Sequence, residues 1–448
     1  MREFEAVVIG GGPGGYEAAL ELAHGGMKTL LVERSKEHIG GVCLNEGCIP
    51  TKNYLQSAEY ASKIAYFSGC GLDLRYGGLD LRRLAEKTVA LKSEIRSGVV
   101  WLLDQAGVES IYGSASFVDP HTIEVLGERI GFQKCIIATG SQTRESDVLR
   151  LDGKRIISNK EVFSLESIPE SMVIVGGGAI GCEFTTFFNA FGTQVTLIAR
   201  GSRLLLKEDE EVSKALLRSF KKAGIRVLTS AVPTKAVADD EGVEVWIEGE
   251  AQEHIRCEMV LSAIGRVPYT DGLFPENGGV VRTADGYIDV NAAFETSQPH
   301  IYAIGDCIDT PAFAHTAYAE AKVAAHNILT GEKNTNLHIT PSTIFSHPQI
   351  ASCGISENEA AKEGIAVEVK KALFKVNAKS KILGDDAGFA KIIVSKENGV
   401  ILGATVIGNE ATEIIHELLV AVEKKIPSAQ LTGMIHAHPT VSEIIRYL

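Results

Sequence analysis

The sequence predicts an α/β protein in which two Rossmann-like βαβ domains with β-meander inserts precede a C-terminal α+β domain. A strand, a glycine-rich turn, a helix and a second strand follow one another over residues 5–33, and the same order returns over residues 172–200. Strand and helix patterns then mix along residues 334–448. The 448 residues are enough for about three domains at roughly 150 residues each.

The first repeat is typical of a dinucleotide-binding turn. Strand Ala6–Ile9 is followed by a turn with Pro13 and with glycines at the spacing G-x-G-x-x-G, namely Gly10, Gly12 and Gly15. These glycines permit a tight turn and let backbone N–H groups reach a pyrophosphate at the N-terminus of helix Tyr16–His24. Glu33 ends the next strand, where a carboxylate can accept hydrogen bonds from ribose hydroxyls. The glycines alone could form a mere packing turn, but strand, helix and acid together predict a nucleotide site.

The second repeat has the same form and one difference. It begins at strand Met172–Val175, and its turn carries Gly176, Gly178 and Gly181. Ala199 stands where the first repeat has its acid, and Arg200 and Arg203 follow. An acid there selects NAD through the 2′-hydroxyl, whereas an arginine can accommodate the 2′-phosphate of NADP. Both arginines could also be solvated loop residues, so the sequence leaves the choice between NAD and NADP open.

The remaining elements complete each domain. Short alternating runs over residues 111–137 and 226–264 predict β-meanders. A strand at Ile301–Ile304 and a helix from Ala314 to Leu329 come next. The C-terminal domain is predicted to contain the following strands and helices: Leu373–Val376, Phe389–Val394 and Ile401–Ile407, with helices at Glu357–Glu363 and Thr412–Lys425. The acidic run 208–211 predicts the solvated start of a helix.

Two cysteines in the segment 40–52 are the sharpest chemical feature. Cys43 and Cys48 are five residues apart, and on an ideal helix their Cα atoms would be separated by about 8.7 Å. A disulfide needs less than about 7 Å, so a pair here would require a non-helical or distorted backbone. The neighbours that supply such freedom are Gly40, Gly41, Gly47 and Pro50. Two reduced core cysteines would not need these neighbours, and a zinc site would need a second ligand pair nearby, so no metal is predicted.

A histidine near the C-terminus offers a base. His438 precedes Pro439, and Glu443 lies five residues after the histidine. Histidine titrates in the range that suits proton removal from a thiol. Pro439 suits the first position of a helix, which would put Glu443 in the first turn, close enough to accept from the imidazole. Taken alone, a His-Pro pair would more often be an ordinary loop residue.

Composition limits the partners. The net charge is −13 and the pI is about 5.5, which disfavours a general nucleic-acid surface or a polybasic membrane anchor. Eight cysteines are too few for a disulfide-stapled scaffold, and no apolar stretch of membrane-spanning length or signal peptide is visible. The sequence therefore predicts a cytoplasmic protein without membrane or nucleic-acid partners. Cys135, Cys182 and Cys307 are predicted to be small buried hydrophobic residues.

These motifs, in this order, resemble the flavoprotein disulfide reductase family, the class I pyridine nucleotide–disulfide oxidoreductases. The resemblance runs from Phe4 to about Arg446 and is closest to the branch that oxidises dihydrolipoamide. It implies an FAD-binding segment at 1–143, an NAD(P)-binding domain at 144–268, a return segment of the FAD domain at 269–333 and a dimerisation domain at 334–448. It further implies a homodimer in which His438 and Glu443 of one chain serve the cysteine pair of the other.

The resemblance also assigns site residues. FAD would be held by residues of the first repeat and of later segments: Gly10, Gly12, Pro13, Gly15, Glu33, Lys52, Thr139, Gly140, Asp306 and Ala314. The nicotinamide dinucleotide would be held by Gly176, Gly178, Gly181, Arg200 and Gly265. The residues that act in catalysis would be Cys43, Cys48, His438 and Glu443, with Lys52 and Glu183 forming an ion pair beside the flavin.

The resemblance implies that the protein oxidises dihydrolipoamide on a lipoyl domain or lipoate-binding protein and passes hydride to NAD(P)⁺. The chain departs from the family pattern at Val42, at Glu46 between the cysteines, and at Ala199-Arg200. A carboxylate at Glu46 should disfavour a nearby thiolate. Two alternatives stay open: an NADPH-dependent reductase of another small disulfide, similar to glutathione reductase, and a non-catalytic FAD-binding assembly subunit.

Overall fold

A computed structural model describes residues 1–250 and 252–448, which form two compact units. The first unit contains residues 1–51, 84–144 and 265–338. The second unit contains residues 52–83, 145–264 and 339–448. The four domain segments given by the family resemblance stay a prediction.

The first unit is built around a mostly parallel sheet. Strand Arg2–Ile9 pairs in parallel with Thr29–Glu33 on one side and with Glu128–Ile137 on the other. The other strands of the unit are Glu109–Tyr112, Ala115–Asp119, Thr122–Val125, Ser141–Thr143, Arg266–Pro268 and Ile301–Ala303. Helices Pro13–His24 and Ala314–Thr330 lie in this unit with the short helix Gly41–Asn45 and the 3₁₀ helices Lys36–His38, Pro275–Gly278 and Gly305–Cys307. The central strands are almost wholly apolar because both faces of such a sheet are covered.

The second unit repeats the plan. A five-stranded parallel sheet has the order Arg226–Leu228, Gln194–Ile198, Ser171–Val175, Met259–Ser262 and Ile156–Ile157. Helix Ala179–Ala190 follows the second glycine turn, and helices Asn159–Val162 and Glu210–Lys222 accompany it. An antiparallel three-stranded meander, Val232–Ala238, Val243–Glu248 and Glu253–Cys257, lies in the same unit. The predicted pair of βαβ units with meander inserts is confirmed.

The C-terminal part of the second unit is α+β, as predicted. Its antiparallel sheet has the order Ser342–Ile344, Gln349–Gly354, Ile401–Gly408, Phe389–Ser395 and Val367–Leu373. Its helices are Glu357–Lys362, Ala378–Ile382, Ala411–Glu423 and Ser428–Thr432, with 3₁₀ helices at Phe374–Val376 and Ser442–Tyr447.

The strand predicted at Leu373–Val376 is wrong. A strand ends at Leu373, and the chain then turns, because Asn377 accepts a hydrogen bond from the backbone N–H of Ser380 at 2.9 Å and starts a short helix. The amide nitrogen of Asn377 also donates to the carbonyl of Thr440 at 3.0 Å, which ties the turn to the C-terminal segment.

Two long helices, Cys48–Gly69 and Leu81–Gln105, have no counterpart among the predicted elements. Pro50 lies in the first turn of the former, where a proline costs no intrahelical hydrogen bond. In sequence this proline looks like a helix breaker, although its position makes it compatible with a helix start. No helix among the described residues is both long and apolar enough to cross a bilayer.

The acidic run 208–211 starts a helix, as predicted, but only its second half is solvated: Glu210 is exposed, whereas Glu208 and Asp209 are not. Glu208 is buried and accepts hydrogen bonds from Ser342 at 2.7 Å and Ser352 at 2.8 Å. Asp209 caps helix Glu210–Lys222 and forms an ion pair with the fully buried Lys391 at 2.6 Å. The run therefore anchors the start of this helix to the C-terminal sheet.

Candidate active site

The first glycine turn forms a cradle with no room for side chains. Gly10 has φ +106°, and a Cβ on it would lie 2.3 Å from the carbonyl oxygen of Ala138. A Cβ on Gly15 would lie 1.8 Å from the carbonyl oxygen of Gly10. Helix Pro13–His24 has no side-chain cap at Gly12, so its first N–H groups can bind an anion. By contrast, Asp209, Ser158 and Ser356 cap other helices of the chain.

Glu33 lies at the edge of this cradle. Its Oε2 accepts from the N–H of Gly11 at 2.6 Å, and its Oε1 accepts from the N–H of Arg34 at 2.8 Å. Burial raises the pKa of Glu33, while the hydrogen bond from Gly11 opposes that rise. The carboxylate is thus fixed in orientation with lone pairs left for ribose hydroxyls.

Unpartnered polar atoms in the first unit fit FAD. Within the described chain, the buried atoms Thr139 Oγ1, Thr310 Oγ1 and Glu320 Oε1 make no hydrogen bond of ordinary geometry, although Thr310 lies near the Glu320 carboxyl group and Thr139 near the Cys307 thiol. Such atoms are costly to bury unless a ligand or water satisfies them. Glu320 Oε2 accepts from the N–H of Gly305 at 2.6 Å, and burial raises the pKa of this carboxyl group. The predicted Gly140 and Asp306 belong to the same two segments, and Ala314 begins helix Ala314–Thr330.

Asp306 is held by residues that the sequence analysis did not assign to the site. Ser141 Oγ donates to Asp306 Oδ2 at 2.6 Å. Arg266 donates to Ser141 Oγ at 2.8 Å and to the Ser141 carbonyl at 2.6 Å. Burial lowers the pKa of Arg266, while Asp306 and Glu46 act in the opposite direction. Ser141 and Arg266 both lie in the motif segments on which the family resemblance rests, so the sequence could have indicated them. No motif of the sequence indicated Glu320.

The second glycine turn repeats the first almost atom for atom. Gly176 has φ +130°, and a Cβ on it would lie 2.1 Å from the carbonyl oxygen of Ala263. A Cβ on Gly181 would lie 1.8 Å from the carbonyl oxygen of Gly176. Helix Ala179–Ala190 also has no side-chain cap at Gly178. Gly265, with φ +118°, follows the neighbouring strand.

The two arginines after Ala199 differ in their surroundings. Arg203 donates to the carbonyl of Leu205 at 3.0 Å, to Ser213 Oγ at 2.6 Å and to the carbonyl of Leu206 at 2.8 Å. These bonds hold the loop in shape. Arg200 is exposed, and no described residue hydrogen-bonds or ion-pairs with its guanidinium.

The cysteine segment combines two helices with a break between them. Cys43 lies in helix Gly41–Asn45, whose C-cap is Glu46, and Cys48 begins helix Cys48–Gly69 after Gly47. Both cysteine side chains are half-buried. The backbone between the cysteines departs from a continuous helix, as a Cys43–Cys48 pair would require, and the pairing itself stays a prediction. A Cβ on Gly41 would lie 2.7 Å from Gly12 Cα, so the segment packs backbone to backbone on the first cradle.

Asn45, which the sequence analysis did not single out, fixes this segment. Its amide donates to the carbonyls of Gly41 at 2.9 Å and Ile39 at 3.2 Å. Arg96 donates to its side-chain oxygen at 2.7 Å, and Lys92 donates to its backbone carbonyl at 3.0 Å. The buried Asn45 amide therefore links helix Gly41–Asn45, which contains Cys43, to helix Leu81–Gln105.

Glu46 lies near basic side chains. Its Oε1 lies 3.6 Å from His38 Nε2. Burial and the neighbouring Arg96 lower the pKa of Lys92, whereas Glu46 acts to raise it. The carboxylate between the cysteines thus interacts with the ammonium group of Lys92 on helix Leu81–Gln105.

Lys52 and Glu183 form the predicted ion pair. Lys52 Nζ lies 2.8 Å from Glu183 Oε1 and 2.9 Å from Oε2. Glu183 is buried and also accepts from the N–H of Phe345 at 2.9 Å, and the ammonium lies 4.8 Å from the centre of the Phe345 ring. The position of this pair beside a flavin stays a prediction.

His438 and Glu443 are paired as expected. Nδ1 of His438 lies 3.0 Å from both carboxylate oxygens of Glu443, and the imidazole is 68% exposed. The hydrogen bond with His438 holds the pKa of Glu443 below its ordinary value, and the N–H of Thr440 adds to this. Glu443 thus engages the Nδ1 side of an imidazole that is otherwise largely exposed. The helix does not begin at Pro439 as predicted but at Ser442, because residues 438–441 form an irregular turn.

The remaining cysteines are mostly buried. Cys135, Cys182 and Cys307 are fully buried, as predicted, and Cys257 and Cys353 are buried too. Burial raises the pKa of all five thiols, to about 11 for Cys257 and Cys307 and to about 12 for Cys353. Cys70 is exposed.

The site residues divide between the two units. The first unit brings together the first glycine turn, Glu33, the cysteine pair and Asp306. The second unit holds the second glycine turn, the Lys52–Glu183 pair and the His438–Glu443 pair.

Comparisons with known proteins identify the family. Residues 4–321 match the pyridine nucleotide-disulphide oxidoreductase family, and residues 340–448 match its dimerisation domain. The chain is 36% identical to dihydrolipoyl dehydrogenase of Geobacillus stearothermophilus, covering 99% of this chain and 94% of the relative. It is 37% identical to dihydrolipoyl dehydrogenase of Chlorobaculum tepidum, covering 99% and 96%.

Solved structures agree. LpdA from Mycobacterium tuberculosis superposes with a TM-score of 0.91 at 25% identity, covering 100% of this chain and 99% of that one. The Cu(II) complex of RclA, an HOCl-induced flavoprotein disulfide reductase from Escherichia coli, superposes with a TM-score of 0.88 at 26% identity, covering 98% of both chains. The chain belongs to the pyridine nucleotide-disulphide oxidoreductase family, and the resemblance and fold class predicted from its motifs are confirmed.

The protein is an FAD-dependent disulfide oxidoreductase that uses a nicotinamide dinucleotide. The matched dimerisation domain supports assembly as a homodimer.

Proposed function

We propose that the protein oxidises protein-bound dihydrolipoamide to lipoamide and passes the hydride to NAD(P)⁺. The observation that carries this proposal is the exposed imidazole of His438, held at Nδ1 by the buried Glu443. A base presented in this way suits an incoming dithiol. The full-length relatives named dihydrolipoyl dehydrogenase support the same activity and do not favour the glutathione-reductase-like alternative.

The exchange chemistry uses three side chains. His438 Nε2 takes the proton of one substrate thiol, and the thiolate attacks Sγ of Cys43 in the oxidised Cys43–Cys48 pair. The Cys43–Cys48 bond breaks, Cys48 leaves as a thiolate, and a mixed disulfide joins the substrate to Cys43. The second substrate thiol then attacks the substrate sulfur of that mixed disulfide and passes its proton to the departing Cys43 sulfur, which releases lipoamide and leaves Cys43 as a thiol, Cys48 as a thiolate and His438 protonated. Two electrons have passed from the dithiol to the cysteine pair.

Because the family forms its site across a homodimer, we propose that His438 of one protomer acts on Cys43 of the partner subunit. Glu443 keeps the imidazole oriented and stabilises its protonated form. The cradle around Gly10, with Glu33, Thr139, Asp306 and Glu320, would hold FAD, which when bound accepts the electron pair and donates hydride to the nicotinamide. Lys52, held by Glu183, would place a positive charge near the flavin.

The test compares Cys48→Ser with Cys70→Ser, which removes an exposed cysteine outside the site. Cys48→Ser should abolish dihydrolipoamide oxidation while FAD remains bound, and Cys70→Ser should leave the rate unchanged. Steady-state rates with dihydrolipoamide and with glutathione disulfide, each with both coenzymes, give the substrate class. A fully active Cys48→Ser enzyme, or a preference for glutathione disulfide with NADPH, would overturn the proposal.

The identity of the lipoyl partner and the cytoplasmic location stay predictions. Turnover with a purified lipoyl domain would test the first, because a genuine protein substrate should have a lower KM than free dihydrolipoamide.

A further inference from the structure

We infer that the second βαβ unit binds the 2′-phosphate of NADP(H), with Arg200 as the residue that determines this specificity. The inference rests on the proposed function only in that the bound coenzyme is the one that exchanges hydride with the enzyme. It concerns the adenosine end of the coenzyme and can be tested without the dithiol.

The two cradles allow a position-by-position comparison. In the first, a Cβ on Gly11 would lie 3.2 Å from Glu33 Cβ. In the second, a Cβ on Gly177 would lie 2.6 Å from Ala199 Cβ. The middle glycine of each turn therefore contacts the equivalent residue at the end of the following strand. Ala199 occupies in the second cradle the position that Glu33 occupies in the first.

This replacement changes what the ribose meets. The Glu33 carboxylate is fixed by Gly11 and can accept from both ribose hydroxyls. Ala199 is 2% exposed and offers no polar atom. The second cradle therefore lacks the acceptor that would bind a free 2′-hydroxyl, and it lacks the negative charge that would repel a 2′-phosphate.

Arg200 supplies the missing counter-charge. It follows Ala199 directly and is exposed, and its guanidinium has no hydrogen-bond or ion-pair partner in the described part of the chain. Arg203 is less suited, because its guanidinium already makes three hydrogen bonds within the loop 203–206 and to Ser213. Arginine binds phosphate oxygens in a bidentate manner, which suits this role.

The acids that follow along the chain do not compete for Arg200. Glu208 accepts from Ser342 and Ser352, and Asp209 pairs with the buried Lys391. Glu210 pairs with Lys214 at 2.6 Å. The loop after Ala199 thus presents a positive charge, while the acidic residues beyond it are engaged elsewhere.

The experiment measures binding of 2′,5′-ADP and 5′-ADP to the FAD-loaded dimer by isothermal titration calorimetry. Because FAD fills the first cradle, the titration measures nucleotide binding to the second cradle. We expect 2′,5′-ADP to bind at least 10-fold more tightly than 5′-ADP. Arg200→Gln should weaken 2′,5′-ADP binding by about 10- to 100-fold and leave 5′-ADP binding unchanged. Ala199→Glu should reverse the preference.

Lys207→Gln is the matched control, since it removes an exposed cation of the same loop. An equal loss of 2′,5′-ADP binding in Lys207→Gln would overturn the assignment to Arg200. Equal or tighter binding of 5′-ADP by the unmodified enzyme would overturn the inference altogether. If 2′,5′-ADP binds as expected but dihydrolipoamide is not oxidised with either coenzyme, the proposed function fails and the 2′-phosphate site stands.

Discussion

Replacing Lys391 with methionine should destabilise the second unit by an amount that can be worked out from its surroundings. The lysine side chain is fully buried in strand Phe389–Ser395. Its ammonium lies 2.6 Å from Asp209 Oδ2, 2.5 Å from Glu357 Oε1 and 3.4 Å from Glu211 Oε2. Lys391→Met leaves three carboxylates with oxygens within 4.8 Å of one another and no cation between them.

Two unit charges 4.8 Å apart repel each other by about 3.5 kcal/mol at an effective dielectric constant near 20. Glu211 and Glu357 are 46% and 42% exposed, so water screens much of the repulsion to which these two carboxylates contribute. Asp209 is only 10% exposed and is screened less. Removing one partner from a buried ion pair costs about 3–5 kcal/mol. We expect a loss of about 3 kcal/mol, which corresponds to a Tm lower by about 6–12 °C.

The pH dependence has a defined sign. Burial alone would lower the pKa of Lys391, but the hydrogen bonds to Asp209 and Glu357 raise it above its ordinary value. The stabilisation by the lysine is therefore fully present below the ordinary lysine pKa and is lost as the pH rises through the higher folded value. In Lys391→Met the repulsion disappears as the carboxylates protonate, so variant and parent should converge towards pH 4.

The assay is thermal unfolding of the FAD-loaded dimer followed by circular dichroism at pH 7.5 and pH 5. Adding Asp209→Asn to Lys391→Met should recover at least half of the loss, since asparagine keeps the helix cap. Calcium should raise the Tm of Lys391→Met but not of the parent, because the remaining oxygens suit a hard cation. Lys375→Met, at an exposed lysine, should change the Tm by less than 1 °C. A similarly small change in Lys391→Met at pH 7.5 would refute this reasoning.

Further predictions concern the active site. Glu443→Gln should lower the rate of dihydrolipoamide oxidation about 100-fold without loss of FAD. Since hydrogen bonding with His438 lowers the pKa of Glu443, its charge should persist in the parent enzyme below the ordinary carboxyl pKa and be lost only as the pH falls further; a pH–rate profile unchanged in the variant would contradict the pairing. Glu46→Gln should lower the pKa of the nearby thiols, measured as faster iodoacetamide alkylation of the reduced enzyme at pH 7; slower alkylation would contradict this. Gly10→Ala should yield protein without FAD, because its Cβ would overlap a carbonyl oxygen, whereas Gly26→Ala, with φ +89° and open space, should retain FAD; full flavin content in Gly10→Ala would refute the cradle.

Features set by neighbouring residues were predictable from the sequence. Within each glycine turn the close contacts of Gly15 with Gly10 and of Gly181 with Gly176 span five residues, and His438 reaches Glu443 over the same distance along the chain. The Lys52–Glu183 pair joins residues 131 positions apart, and only the family resemblance indicated it.

Features set by distant packing were not predictable. The acidic run 208–211 looks like an ordinary solvated helix start because Ser342, Ser352 and Lys391 lie far along the chain. The support of Asp306 by Ser141 and Arg266 likewise depends on strands brought together by folding. The end of the strand at Leu373 depends on how Asn377 bonds to the C-terminal segment.

The burial of five thiols has a consequence for an enzyme that generates thiolates in every turnover. If another cysteine were exposed and ionised, its thiolate could attack the disulfide that the proposed mechanism places between Cys43 and Cys48, displace one of these sulfurs as a thiolate and leave a disulfide between the wrong cysteines. Cys135, Cys182, Cys257, Cys307 and Cys353 are shielded from such side reactions twice, by the packing around them and by thiols that remain protonated near neutral pH. Thiol–disulfide exchange is thereby confined to Cys43 and Cys48. Maleimide labelling of the reduced native chain should therefore modify about three of its eight cysteines.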